Sequence, residues 1–129
     1  MASPEAWIRS RIESATSADA FPMYVAEGQS PPFVVYGRSG TLRELALTTI
    51  DDVAVGTFEL VIYSDSYSAA KDIAEDIREE LSNFTSPADD DYILSSHLEN
   101  ERDGPPVFLD GRDSPTFVIE QTFQIRWEE

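Results

Sequence analysis

The chain has 129 residues, with 25 Asp and Glu against 9 Lys and Arg, a formal net charge of -16, and no cysteine. That length fits one domain, and without a Lys/Arg cluster to neutralise phosphates, tight DNA or RNA binding is disfavoured. The missing cysteines exclude a disulfide framework, a thiolate zinc site and a cysteine nucleophile, while 41% hydrophobic and 11% aromatic residues suffice to bury a core.

Ser3, Pro4 and Glu5 predict a helix start, with a serine cap, proline at the first helical position and an early acid on the positive dipole end. Trp7, Ile8, Ile12 and Ala15 then share one side of a helix within residues 1–20 that ends before Asp19 to Pro22. Phe21 to Tyr24 has the content of a brief edge strand, against which Pro22 counts. After the Gly28 to Pro32 loop, strands are expected within residues 32–63: Phe33 to Tyr36, then Thr41 to Thr49 read as strand over helix, then Ala54 to Tyr63. Ala70, Ile73, Ala74, Ile77, Leu81 and Phe84 recur at spacings of three and four, predicting a main helix over 66–84 capped by Asp65 or Ser66. Thr85 to Asp91 reads as a polar loop, Tyr92 to Arg102 as a strand, and Gly104 to Pro115 as a second loop. In the last strand, 116–128, Phe117, Ile119, Gln121, Phe123, Ile125 and Trp127 alternate with a mainly polar set. The order predicts an α+β fold: a mostly antiparallel sheet of four to five strands with two helices packed on one face.

No apolar stretch approaches the roughly 20 residues that span a bilayer, and Met1 to Arg11 lacks a signal-peptide layout, so the expected setting is the cytoplasm or something assembled there. The acidic surface, with Lys71 the only lysine, suits solubility at high salt, as in a halophilic or marine host.

Candidate chemistry is thin. Asp89, Asp90 and Asp91 resemble a hard-cation site, but the spacing of a calcium loop is missing and solvated loop charge explains them better. A metal-dependent nuclease would pair carboxylates with a nearby lysine, and Lys71 lacks the Glu-x-Lys neighbour. His97 is the only histidine, so a multi-histidine metal site is excluded, and Ser95 and Ser96 beside it make no triad. Gly111, Arg112, Asp113 and Ser114 lack the glycine pattern of a phosphate loop. The expectation is no enzyme, no metal and no cofactor.

Three segments in order, Pro32-Phe33-Val34-Val35-Tyr36, then Phe58 to Leu81 with its Tyr63-Ser64-Asp65-Ser66-Tyr67 turn, then Leu98 to Asp103 followed by Phe117 to Trp127, resemble the tail-completion (tail-terminator) family of long-tailed phages. They cover most of residues 32–129; the shared order and spacing carry the likeness, since each segment is short. In residues 1–30 the family's Ile-Tyr-Pro-like step reads Phe21-Pro22-Met23-Tyr24 instead. The resemblance implies a virion structural protein: a ring, six subunits in the family's manner, that docks on the last ring of tail tube protein, stops polymerisation and offers a face to the neck or head connector. DNA would pass through without being tightly held, and no membrane is involved. The loop residues Pro87, Asp89, Asp90 and Asp91, with Asp110, Arg112 and Asp113, are the candidate partner contacts, because loops at sheet ends vary without disturbing a core. A head-side neck protein and a non-viral binding module are the alternatives.

Overall fold

In the computed structural model, the residues described are 4–23, 30–44, 53–82, 84–85, 93–109 and 114–128. Helix α1 (Pro4–Ala15) is followed by strands β1 (Asp19–Pro22), β2 (Phe33–Glu44) and β3 (Val53–Ser64), helix α2 (Tyr67–Leu81), and strands β4 (Phe84–Thr85), β5 (Ile93–Val107) and β6 (Thr116–Glu128). All six strands form one sheet in the order β1-β2-β3-β6-β5-β4, antiparallel except for the β1–β2 pair. The expected α+β class is therefore the one observed. The sheet has five strands of four or more residues plus the two-residue β4.

The alternation in β6 does what its period demands. Ile119, Gln121, Phe123, Ile125 and Trp127 are buried, while Glu120, Thr122, Gln124 and Arg126 are only partly covered. In β3 the buried set is Ala54, Gly56, Phe58, Leu60, Ile62 and Ser64. Both helices lie over this face: Ile8 and Ile12 of α1 and Ile73, Ala74, Ile77 and Leu81 of α2 join the same hydrophobic cluster. The Ser66 hydroxyl caps α2 by accepting the Ala69 N–H at 3.1 Å. Arg11 of α1 donates to Glu80 of α2 at 3.0 Å, linking the helices at their rim.

One end of the core is closed by a cation. The Arg38 guanidinium lies 4.8 Å from the Trp127 ring centroid and 5.4 Å from that of Phe58. Its Nε donates to Glu5 Oε1 at 2.8 Å, its Nη2 reaches the same oxygen at 2.6 Å, and its Nη1 donates to the Thr41 hydroxyl at 3.2 Å. Gly56 is small for the same reason: a Cβ there would stand 2.7 Å from Phe58 Cε2 and 2.8 Å from Trp127 Cζ3.

Three boundaries differ from the sequence expectations. The edge strand expected from Phe21 to Tyr24 begins two residues earlier, as β1, and pairs parallel with β2 through Asp19↔Phe33 to Pro22↔Tyr36. The main helix stops at Leu81 rather than 84, because the Ser82 N–H closes the last turn on the Arg78 carbonyl at 2.8 Å and the Ser82 backbone is extended. Gly104, Pro105 and Pro106, expected to open a loop, continue β5 to Val107 past a register shift between Gly104 and Val107. Beyond Ser96 no described strand covers the outer side of β5, so proline's missing N–H leaves no ladder bond broken there. Of Thr41–Thr49, β2 takes residues 41–44, and the remainder lies outside the described residues.

Candidate assembly surface

The candidate contact residues Pro87, Asp89, Asp90, Asp91, Asp110, Arg112 and Asp113 all lie outside the described residues. The strand bounds still say where their segments attach. One joins β4 to the start of β5, the other joins the end of β5 to β6. These attachment points are separated by a 15-residue strand, on the order of 45 Å at ordinary strand rise.

The described surface opposite the helices is more informative. Register places Phe33, Val35 and Gly37 of β2 beside Tyr63, Val61 and Glu59 of β3, and Tyr63 and Val61 beside Val118 and Glu120 of β6. Phe33 stacks on Tyr63 with centroids 4.8 Å apart, and Phe21 of β1 meets Phe33 edge-on at 6.4 Å. Burial, then the neighbouring Glu120 carboxylate, pushes the Tyr63 hydroxyl above its ordinary pKa. Met23 follows β1 with φ 62°, in the left-handed region, its N–H donating to the Tyr36 carbonyl at 2.8 Å. That conformation lays the thioether over Gly37, where a Cβ would collide with Sδ, and leaves the residue 72% exposed. Met23, Val35, Gly37 and Val61 thereby line a hollow of about 160 Å³ with Glu59 at its edge.

At the other flank, Asp103 of β5 ties the strand to α2. The Tyr67 hydroxyl donates to its Oδ2 at 2.7 Å and Lys71 Nζ pairs with its Oδ1 at 3.0 Å. The hydrogen bonds from Tyr67 and Lys71 hold the Asp103 carboxyl below its ordinary pKa, and those to Asp103 and Tyr67 hold the Lys71 ammonium above its own. The only lysine is thus a surface clip. His97 is exposed on β5, beside a shallow groove with Arg78, Glu79, Ser82 and Leu98. Among the described residues no three His, Asp or Glu side chains converge in a way that would hold a metal ion, and no described helix is long and apolar enough to cross a membrane. Phe108, just past β5, is 67% exposed.

Sequence reasoning quoted Met23, Tyr67 and Asp103 only as members of the resembling or divergent segments, without a contact for any of them, and did not single out Phe108. Phe108 alone carried a signal: an isolated aromatic after Pro105 and Pro106 and before Asp110 and Gly111 has no periodic partner with which to join a core.

No curated protein matches the chain. Among solved structures, it is similar to a chain from the virion of a native gene transfer agent (GTA) particle, with a TM-score of 0.57 and 12% identity over 98% of this chain and 87% of that one. A family model described as tail completion protein gp17 matches residues 9–128, which takes in the first helix from Arg9 on and the divergent 21–24 step as well as the three resembling segments. The chain belongs to the tail completion protein gp17 family, and its role is a structural one in a virion tail.

Proposed function

We infer that the protein closes into a ring of six subunits on the end of the tail tube, stops tube polymerisation and joins the tail to the neck or head connector. The family match over residues 9–128 carries this function. To terminate growth, one surface must fit the tube end while a different surface faces outward, since identical faces would continue the polymer. Attachment of the 86–92 and 110–113 segments at opposite ends of β5 suits two such surfaces, with Pro87, Asp89, Asp90 and Asp91 on one and Asp110, Arg112 and Asp113 on the other. The partners are copies of the chain, the major tail tube protein and the connector. Residues 1–129 act as a single domain without catalysis or cofactor, assembled in the host cytoplasm and placed at the tail–neck junction of the virion. The net charge of -16 lets DNA pass the ring unheld, because phosphate meets no basic wall.

Deleting the gene and imaging the lysate tests this. Full heads separated from tails of normal or excessive length are expected. Particles with attached tails of normal length would overturn the terminator role, and empty or leaking heads beside free, length-controlled tails would move the protein to the head side of the neck.

A further inference from the structure

A ring needs a head-to-tail contact, in which two different patches on each copy meet. Among the described residues Met23, Leu42, Tyr67 and Phe108 are the large apolar side chains left exposed, and two of them, Met23 and Phe108, stand on separate parts of one sheet. Met23 follows β1 and its hollow lies over β2 and β3, whereas Phe108 follows β5. β4, the outermost strand on that side, pairs only with Ser95 and Ser96, so β5 is the described edge of the sheet at its Phe108 end. The hollow's own strands, β3 and β2, lie two and three interstrand spacings from β5, on the order of 10–14 Å, which is beyond the reach of a phenylalanine side chain, and Phe108 is not among the residues that line it. No copy can fill its own hollow with its own Phe108.

Charge points the same way. Residues 1–44, which form α1, β1 and β2, hold five of the 25 Asp and Glu but four of the nine Lys and Arg, a net charge of -1. The other -15 belongs to residues 45–129, including Glu99, Glu101 and Asp103 along β5. Two copies joined β5 flank to β5 flank would set acid against acid. Joined β5 flank to the hollow, the acidic strand of one copy meets a lining in which Arg38 stands with Glu59. Methionine suits such a socket, being unbranched and polarizable, and the left-handed backbone at Met23 holds it on the open face where no residue of its own core needs it.

We propose that the ring contact seats Phe108 of one copy in the Met23–Val35–Val61 hollow of the next. This rests on the ring inferred above. The test uses the full chain with Phe108→Asp and Met23→Asp, each at an exposed position, so that unchanged thermal melts verify folding. Sedimentation of wild type is compared with each variant and with their equimolar mixture, read on isolated tails as well if free wild type is monomeric. Each variant alone should lose self-association by at least about 30-fold, the effect of truncating a hot-spot anchor. The mixture should regain a two-copy species and nothing larger, because one intact socket and one intact knob remain between the two variants. Variants that assemble like wild type would overturn this contact and leave the ring standing, and variants that both fail without rescue in the mixture would overturn the knob-and-socket pairing. A wild type that stays monomeric and adds to tails in single copies would remove the ring and this contact together.

Discussion

Gly56 and Gly40 show how differently two glycines in strands can behave. At Gly56 a methyl group would press on Phe58 and Trp127, both held by packing and by Arg38 above them, so the neighbours have little room to give. Gly56→Ala is expected to destabilise the fold by about 1–3 kcal/mol through overpacking. At Gly40 nothing lies within 4 Å of a Cβ, and the backbone is outside the left-handed region. Gly40→Ala should therefore stabilise by about 0.4–1 kcal/mol, chiefly by restricting the unfolded chain. Urea unfolding of the two variants checks the pair, and the same sign for both would show that the Trp127 contact does not govern residue 56.

Helix α2 and strand β5 depend on contacts of opposite character. Ile77 is fully buried against the sheet, so Ile77→Ala should lower the unfolding free energy by about 2–5 kcal/mol. A loss under about half a kcal/mol, within the range of a surface substitution, would mean the helix presents another side. The Asp103 clip is exposed and should matter to pH rather than to total stability. Its folded pKa lies below the ordinary 3.8 because Tyr67 and Lys71 bond the carboxylate. Its contribution is thus complete above the unfolded value and is lost as pH falls through the lower folded one. For Lys71, raised above 10.5, the contribution is present below that value and lost as pH rises through the folded pKa. Asp103→Asn should flatten the acid-side decline of the melting temperature slightly while changing little at neutral pH. An unchanged acid limb would show that the carboxylate does not hold this geometry in solution.

For the whole molecule, a net charge of -16 on 129 residues is self-repulsive. Raising the ionic strength to 1 M shortens the reach of that repulsion to about 3 Å. The thermal midpoint should rise across a salt series, equally with sodium and potassium chloride. A flat or falling midpoint would mean the carboxylates are already compensated, and a difference between the two salts would reveal a specific cation. The uneven placement of the charge, nearly all of it outside α1, β1 and β2, also predicts that salt favours association of copies, since screening weakens whatever acid-on-acid contact a closing ring retains.

The periods of the sequence determined which residues became core. Spacings of three and four placed Ile73, Ile77 and Leu81 inward on α2, and alternation of two placed Ile119, Phe123 and Ile125 inward on β6, because side-chain direction follows from backbone geometry alone. Segment order and spacing were also enough to resemble the family that residues 9–128 match. What the tertiary structure decided is whatever depends on a neighbour distant in the chain. Pro105 and Pro106 read as loop until β5 proves to be an edge whose outer N–H groups need no partner. Asp19 and Ala20 became strand through pairing with Phe33 and Val34 of β2. Gln121, placed by alternation in an apolar row, is buried with its amide donating to the Ala74 carbonyl at 2.9 Å and to Glu101 at 2.7 Å, partners 47 and 20 residues away. The separation of Phe108 from Met23 and its hollow exists only once β6 inserts between β3 and β5, since strand order is set by packing between segments and not by local periodicity.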